Sequence, residues 1–84
     1  MQSRTLRIRI FGPLQDLFGV EALELPDPGP TTVAQLWALL EARYPDLASW
    51  RPLCRMAVGG RCAHAETPVT ADDELALLPP VSGG

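Results

Sequence analysis

The chemistry of this sequence is easiest to place at its end, in Gly83 and Gly84. Neither residue carries a Cβ, so the pair can take backbone angles closed to other residues and enter a channel too narrow for side chains. An α-carboxyl group has a pKa of about 3.3–3.7, so at neutral pH it is an anion that resists nucleophiles. Read as a free terminus, Gly84 would offer such a carboxylate for activation, with Gly83 giving it clearance. Pro79 and Pro80 have no N–H to donate, so a sheet ladder has to stop at Leu78. Their fixed φ favours an extended polyproline course, which makes Pro79, Pro80, Val81 and Ser82 the stem of a projecting arm. The expected organisation is a domain over residues 1–78 and an extended tail over 79–84.

Nothing else in the chain forms a catalytic dyad or triad. His64 is the only histidine and lies two residues after Cys62, which supplies too few ligands for a zinc site. No bound metal or cofactor is expected. Composition narrows the classes further. At 84 residues the chain is one domain, and 46% hydrophobic content suits a packed core. A formal charge of −3 and a pI near 4.9 argue against a nucleic-acid partner, which would need a basic face. All seven basic residues are arginine, so the chain has no lysine through which to conjugate to its own kind. No apolar run approaches the ~20 residues of a membrane span. The opening MQSRTLRIRIFG lacks the apolar stretch of a signal peptide, so the cytoplasm is the expected location. There Cys54 and Cys62 are expected reduced, as small, partly buried apolar residues.

The elements that must position the tail follow from periodicity. Leu6, Ile8 and Ile10 alternate with Arg7, Arg9 and Phe11, which predicts a strand over Thr5–Phe11 with one buried face. Gly12-Pro13 ends it, Leu14, Leu17 and Phe18 sit on a short turn or helical loop, and Gly19 closes that loop. Glu21–Leu25 returns as a second strand, antiparallel to the first. After an extended stretch through Pro26, Pro28, Gly29 and Pro30, Thr32 opens the main helix. Gln35 completes a capping box, and Val33, Leu36, Trp37, Leu40 and Tyr44 form one apolar stripe. Pro45 ends that helix. Residues 46–52 read as a shorter helical segment, with Leu47 and Trp50 packing beneath.

Arg55–Val58 and Arg61–His64 read as strands around Gly59-Gly60, a two-residue turn that needs positive φ. Thr67 to Asp73 reads as a polar turn, and Glu74–Leu78 as the last strand, with Leu75 and Leu77 inward. This order is that of an α+β, ubiquitin-like β-grasp. In it a mixed sheet of about five strands packs on one main helix, and the last strand lies parallel beside the first. Phe11 and Leu78 then fall on the outer face of neighbouring strands, where two large apolar side chains suggest a partner site. Arg7 and Arg9 flank it and could meet acidic groups. The alternative is that a loop or the second helical segment covers the pair.

The stretch Asp73-Glu74-Leu75-Ala76-Leu77-Leu78-Pro79-Pro80-Val81-Ser82-Gly83-Gly84 resembles the terminal signature of the MoaD family, the small sulfur-carrier subunits of molybdopterin synthase. That family is related to ThiS and more distantly to ubiquitin. Ile10-Phe11-Gly12 with Leu14, Leu17 and Gly19 resembles its first loop, and Val33–Pro45 its main helix. Gly59-Gly60 stands where the family often has Asn-Gly, and Ala71-Asp72-Asp73 where it often has Asp-Gly-Asp.

The resemblance implies two partners, an E1-like adenylating enzyme (MoeB-like) and the molybdopterin synthase large subunit (MoaE-like). The first would consume ATP to convert the Gly84 carboxylate to an acyl-adenylate. Sulfur would then replace adenylate, and the resulting thiocarboxylate would donate sulfur to a pterin precursor in the second. A sulfur carrier for thiamin thiazole synthesis or tRNA thiolation would use the same chemistry. A protein modifier joined to target lysines, or a binding module with an inert tail, are further readings.

Overall fold

The computed structural model describes residues 4–79. The first hairpin is built by β1 (Thr5–Arg9) and β2 (Ala22–Pro26), antiparallel, with Ile8 opposite Leu23 and Leu6 opposite Leu25. These four residues are at most 4% exposed, so the alternation did select one buried face. The strand ends two residues short of the expected Phe11. The backbone turns at Gly12, whose φ of 54° is open to glycine, and a six-residue helix α1 (Pro13–Phe18) begins. The Leu14 N–H donates to the Phe11 carbonyl at 3.2 Å, so Phe11 belongs to the turn and not the ladder.

The chain then forms β3 (Thr31–Thr32) and α2 (Val33–Arg43). The capping box is present: Thr32 Oγ1 accepts from the Gln35 N–H, and the Gln35 side chain accepts from the Thr32 N–H, both at 3.3 Å. Two more first-turn donors are used, Val33 N–H on the Thr67 carbonyl and Ala34 N–H on the Ala65 carbonyl, each at 3.0 Å. Val33, Leu36, Trp37 and Leu40 are buried. The segment expected helical over 46–52 consists of two 3₁₀ turns, Pro45–Ser49 and Arg51–Leu53, split at Trp50. Leu47 is fully buried and Trp50 packs partly against the core.

Three further strands complete the main sheet: β4 (Arg55–Val58), β5 (Arg61–Cys62) and, after a short β6 (Pro68–Val69), β7 (Leu75–Leu78). The strand order is β2-β1-β7-β4-β5, with β7 parallel to β1 and antiparallel to β4. Gly59 and Gly60 take φ values of 60° and 82°, as the tight turn requires. Two expectations change. The stretch read as a polar turn contains β6, which pairs with β3 and buries Val69 completely. The edge strand expected to reach His64 stops at Cys62, and that cysteine is exposed while Cys54 is buried. Burial raises the Cys54 thiol above its ordinary pKa and keeps it neutral.

Candidate functional site

Residues paired across a sheet point to the same side, so the register assembles the outer face in rows. Arg9 lies opposite Ala22 on one side and Ala76 on the other; Ala76 lies opposite Ala57, and Ala57 opposite Cys62. Leu78, in the next row, lies opposite Arg55. Beyond Arg9–Ala76, the last pair of β1 with β7, Phe11 and Leu78 line the same hollow. On the other side of the alanine row, Arg7 lies opposite Glu24.

A shallow open concavity follows from this arrangement. Small Ala57 and Ala76 make its floor, Phe11 and Leu78 its apolar end, and Arg7 and Arg9 its basic side. Gly60, Asp73 and Glu74 complete its rim. Phe11 and Leu78 are half-buried, and no residue of the 3₁₀ turns over 45–53 lines the hollow. The turn at Gly12 holds Phe11 over the sheet, where the Arg9 guanidinium sits 5.5 Å from its ring centroid, within cation–π range. That contact orients an arginine that would otherwise be free in solvent.

Phe11 and Leu78 are thus brought to one end of the outer face; β7 ends at Leu78, and half-buried Pro79 follows it in the chain. Pro80, Val81, Ser82, Gly83 and Gly84, the remaining residues named from the sequence, lie outside the described residues. The sequence reading gave Ala57, Ala76 and Arg55 no part in the site. Ala76 and Ala57 were legible only once the cross-strand register was known, because alanine gives no signal of its own. Among the described residues no group of His, Cys, Asp or Glu could hold a metal ion, and no helix is long and apolar enough to cross a membrane.

Matches to known proteins extend over nearly the whole chain. The ThiS family model matches residues 8–84. The molybdopterin synthase sulfur carrier subunit of Arabidopsis thaliana is 29% identical over 82 residues, spanning 98% of this chain and 85% of that protein. Among solved structures, SAMP1 from Haloferax volcanii superposes with a TM-score of 0.78 at 28% identity, over 95% of this chain and 99% of that one. A chain from the complex of subunits 1 and 2 of the molybdopterin-converting factor of Helicobacter pylori gives a TM-score of 0.67 at 27% identity. It covers 95% of this chain and 99% of that one.

Proposed function

The chain belongs to the ThiS family, and on that premise we propose that it is a sulfur carrier acting through the carboxyl group of Gly84. The observation that carries this reading is the extent of the likeness: the family match runs through Gly84, and the sulfur-carrier relative spans 98% of the chain. The pathway best supported is molybdenum cofactor synthesis, with a MoaE-like large subunit as receiver, since both that relative and the converting-factor complex belong to it.

In this reading an E1-like enzyme supplies ATP, and a Gly84 carboxylate oxygen attacks its α-phosphorus with loss of pyrophosphate. The outer sulfur of a persulfide donor then attacks the Gly84 carbonyl carbon and displaces AMP, giving an acyl disulfide. A second thiol on the donor side attacks the inner sulfur, is oxidised with it to a disulfide, and releases the Gly84 thiocarboxylate. This chain contributes reach and position, while the partners contribute the acid–base groups and no cofactor stays bound to the carrier. Residues 79–84 serve as the arm, with Pro79, Pro80, Val81, Ser82 and Gly83 threading the receiving site so that sulfur transfer becomes effectively intramolecular. Phe11 and Leu78, at the base of the arm, dock on the partner. The location proposed is the cytoplasm.

Deleting Gly84 is the test. The truncated chain is expected to fold as before and to lose sulfur transfer completely; retained transfer overturns the reading. Intact-mass measurement of protein from its host should show one oxygen replaced by sulfur, and co-purification of the large subunit should identify the pathway. Recovery of a thiazole synthase or a tRNA-thiolating enzyme instead would move the same chemistry to that pathway.

The likeness to SAMP1, a small archaeal modifier protein, favours a second reading, in which the activated Gly84 joins a target lysine. A mass gain on other proteins equal to this chain less water would support it. With no lysine of its own, the chain would be added singly.

A further inference from the structure

One edge of the main sheet, formed by β2, is closed near its middle by a single hydroxyl group. Along β2, the hydrogen-bonded pairs with β1 are the odd-numbered residues. Ile10 N–H donates to the Glu21 carbonyl and Asp27 N–H to the Arg4 carbonyl, each at 3.0 Å, which sets that phase. Ala22, Glu24 and Pro26 therefore direct their backbone groups to the free edge. Pro26 has no N–H to offer. Glu24 has both groups occupied, by a side chain twenty residues away. Its N–H donates to the Tyr44 hydroxyl at 3.3 Å, and that hydroxyl donates to its carbonyl at 3.2 Å. A phenol oxygen can accept and donate at once, so a single atom closes the pair. Among the described residues of this edge, only Ala22 keeps an outward N–H.

An exposed edge strand with a free donor–acceptor pair is a template for another chain. Here the central position is filled, and the Tyr44 ring is fixed from two sides. Its centroid lies 5.5 Å from that of Phe18 at 75°, an edge-to-face pair, and the Arg43 guanidinium lies 5.8 Å from it. We propose that Tyr44 is an edge guard, whose hydroxyl keeps a second copy of this chain from pairing along β2. The self-complementary geometry it blocks is antiparallel, with Glu24 against its own equivalent.

Tyr44→Phe removes the hydroxyl and keeps the ring. Amide exchange and sedimentation are measured at high protein concentration and high salt, which screens the repulsion between facing Glu24 carboxylates. The Glu24 amide should exchange roughly tenfold faster than in the parent, the value of one hydrogen bond at the edge. The Leu23 and Leu25 amides, bonded to β1, should not change. Tyr44→Phe should also form concentration-dependent dimers while the parent stays monomeric. Phe18→Leu weakens the packing without touching the hydroxyl, and it should stay monomeric. The proposal is overturned by unchanged exchange at Glu24, by a monomeric Tyr44→Phe, or by a Phe18→Leu protein that associates as readily.

Discussion

The inner and outer faces of the main sheet are made of the same strands and obey opposite rules. Inward, Leu6, Ile8, Leu23, Met56, Leu75 and Leu77 are at most 3% exposed and pack in one cluster with α2. Outward, the described residues between them are Thr5, Arg7, Arg9, Glu24, Pro26, Arg55, Cys62 and three alanines (Ala22, Ala57 and Ala76), with large apolar groups only at Phe11 and Leu78. The inner face is decided by volume, because each side chain there fills space that nothing else can. On the outer face folding asks only for solubility, so its two large apolar residues have no structural duty that polar ones would fail. That contrast is why the outer pair points to a partner and the inner leucines do not.

Adjacent residues of β7 put the contrast to its hardest test. Leu77→Ala, on the inner face and fully buried, should lower stability by about 2–5 kcal/mol. Chemical denaturation should read this as a lower midpoint with an unchanged slope. Leu78→Glu, one residue on, should keep the fold within about 1 kcal/mol, since it places a charge on a half-buried outer position beside Arg55. Its cost should fall on partner binding, by about 2 kcal/mol or more, roughly thirtyfold, as for a central contact residue. Titration calorimetry against the co-purified large subunit checks this. If Leu78→Glu unfolds the protein, or binds normally, the two faces do not divide the labour as argued.

A smaller effect separates helix from sheet on the inner side. Thr32→Ala removes one half of the capping box and should cost about 1 kcal/mol, seen as a modest fall in melting temperature with binding unchanged.

The same contrast explains what could be read from the sequence. The inner face was legible because burial imposes a period of two on strands and 3.6 on α2, and both periods are written in the residue types. The capping box and the Gly59-Gly60 turn were legible because each needs particular residues at fixed spacing. Val69 was not, because a two-residue strand shows no period and Pro68 beside it signals a turn. Phe11 was assigned to the strand because its alternation continues past Arg9; only the bond from the Leu14 N–H shows that the turn has already begun. The outer face was half legible. Phe11 and Leu78 stood out as apolar residues in outward phase, while the alanine floor depends on which strands are neighbours. The Tyr44 hydroxyl on Glu24 lay beyond reach, because the helical stripe had already given that tyrosine a role.

Arg9 gives the most delicate test, because it belongs to the outer face by phase yet is held by an apolar neighbour. Its guanidinium lies over Phe11, a contact worth about 0.5–1 kcal/mol at an exposed site, so Arg9→Gln should cost stability no more than that. If the outer face meets acidic groups on a partner, the loss of one positive charge should slow association several-fold and leave dissociation nearly unchanged. The salt dependence of the association rate should also become shallower. Stopped-flow binding at two ionic strengths reads all three quantities. A variant that changes only the dissociation rate would mean that Arg9 acts by placing Phe11 and not by its charge. The outer face would then be an apolar site with an arginine for a brace.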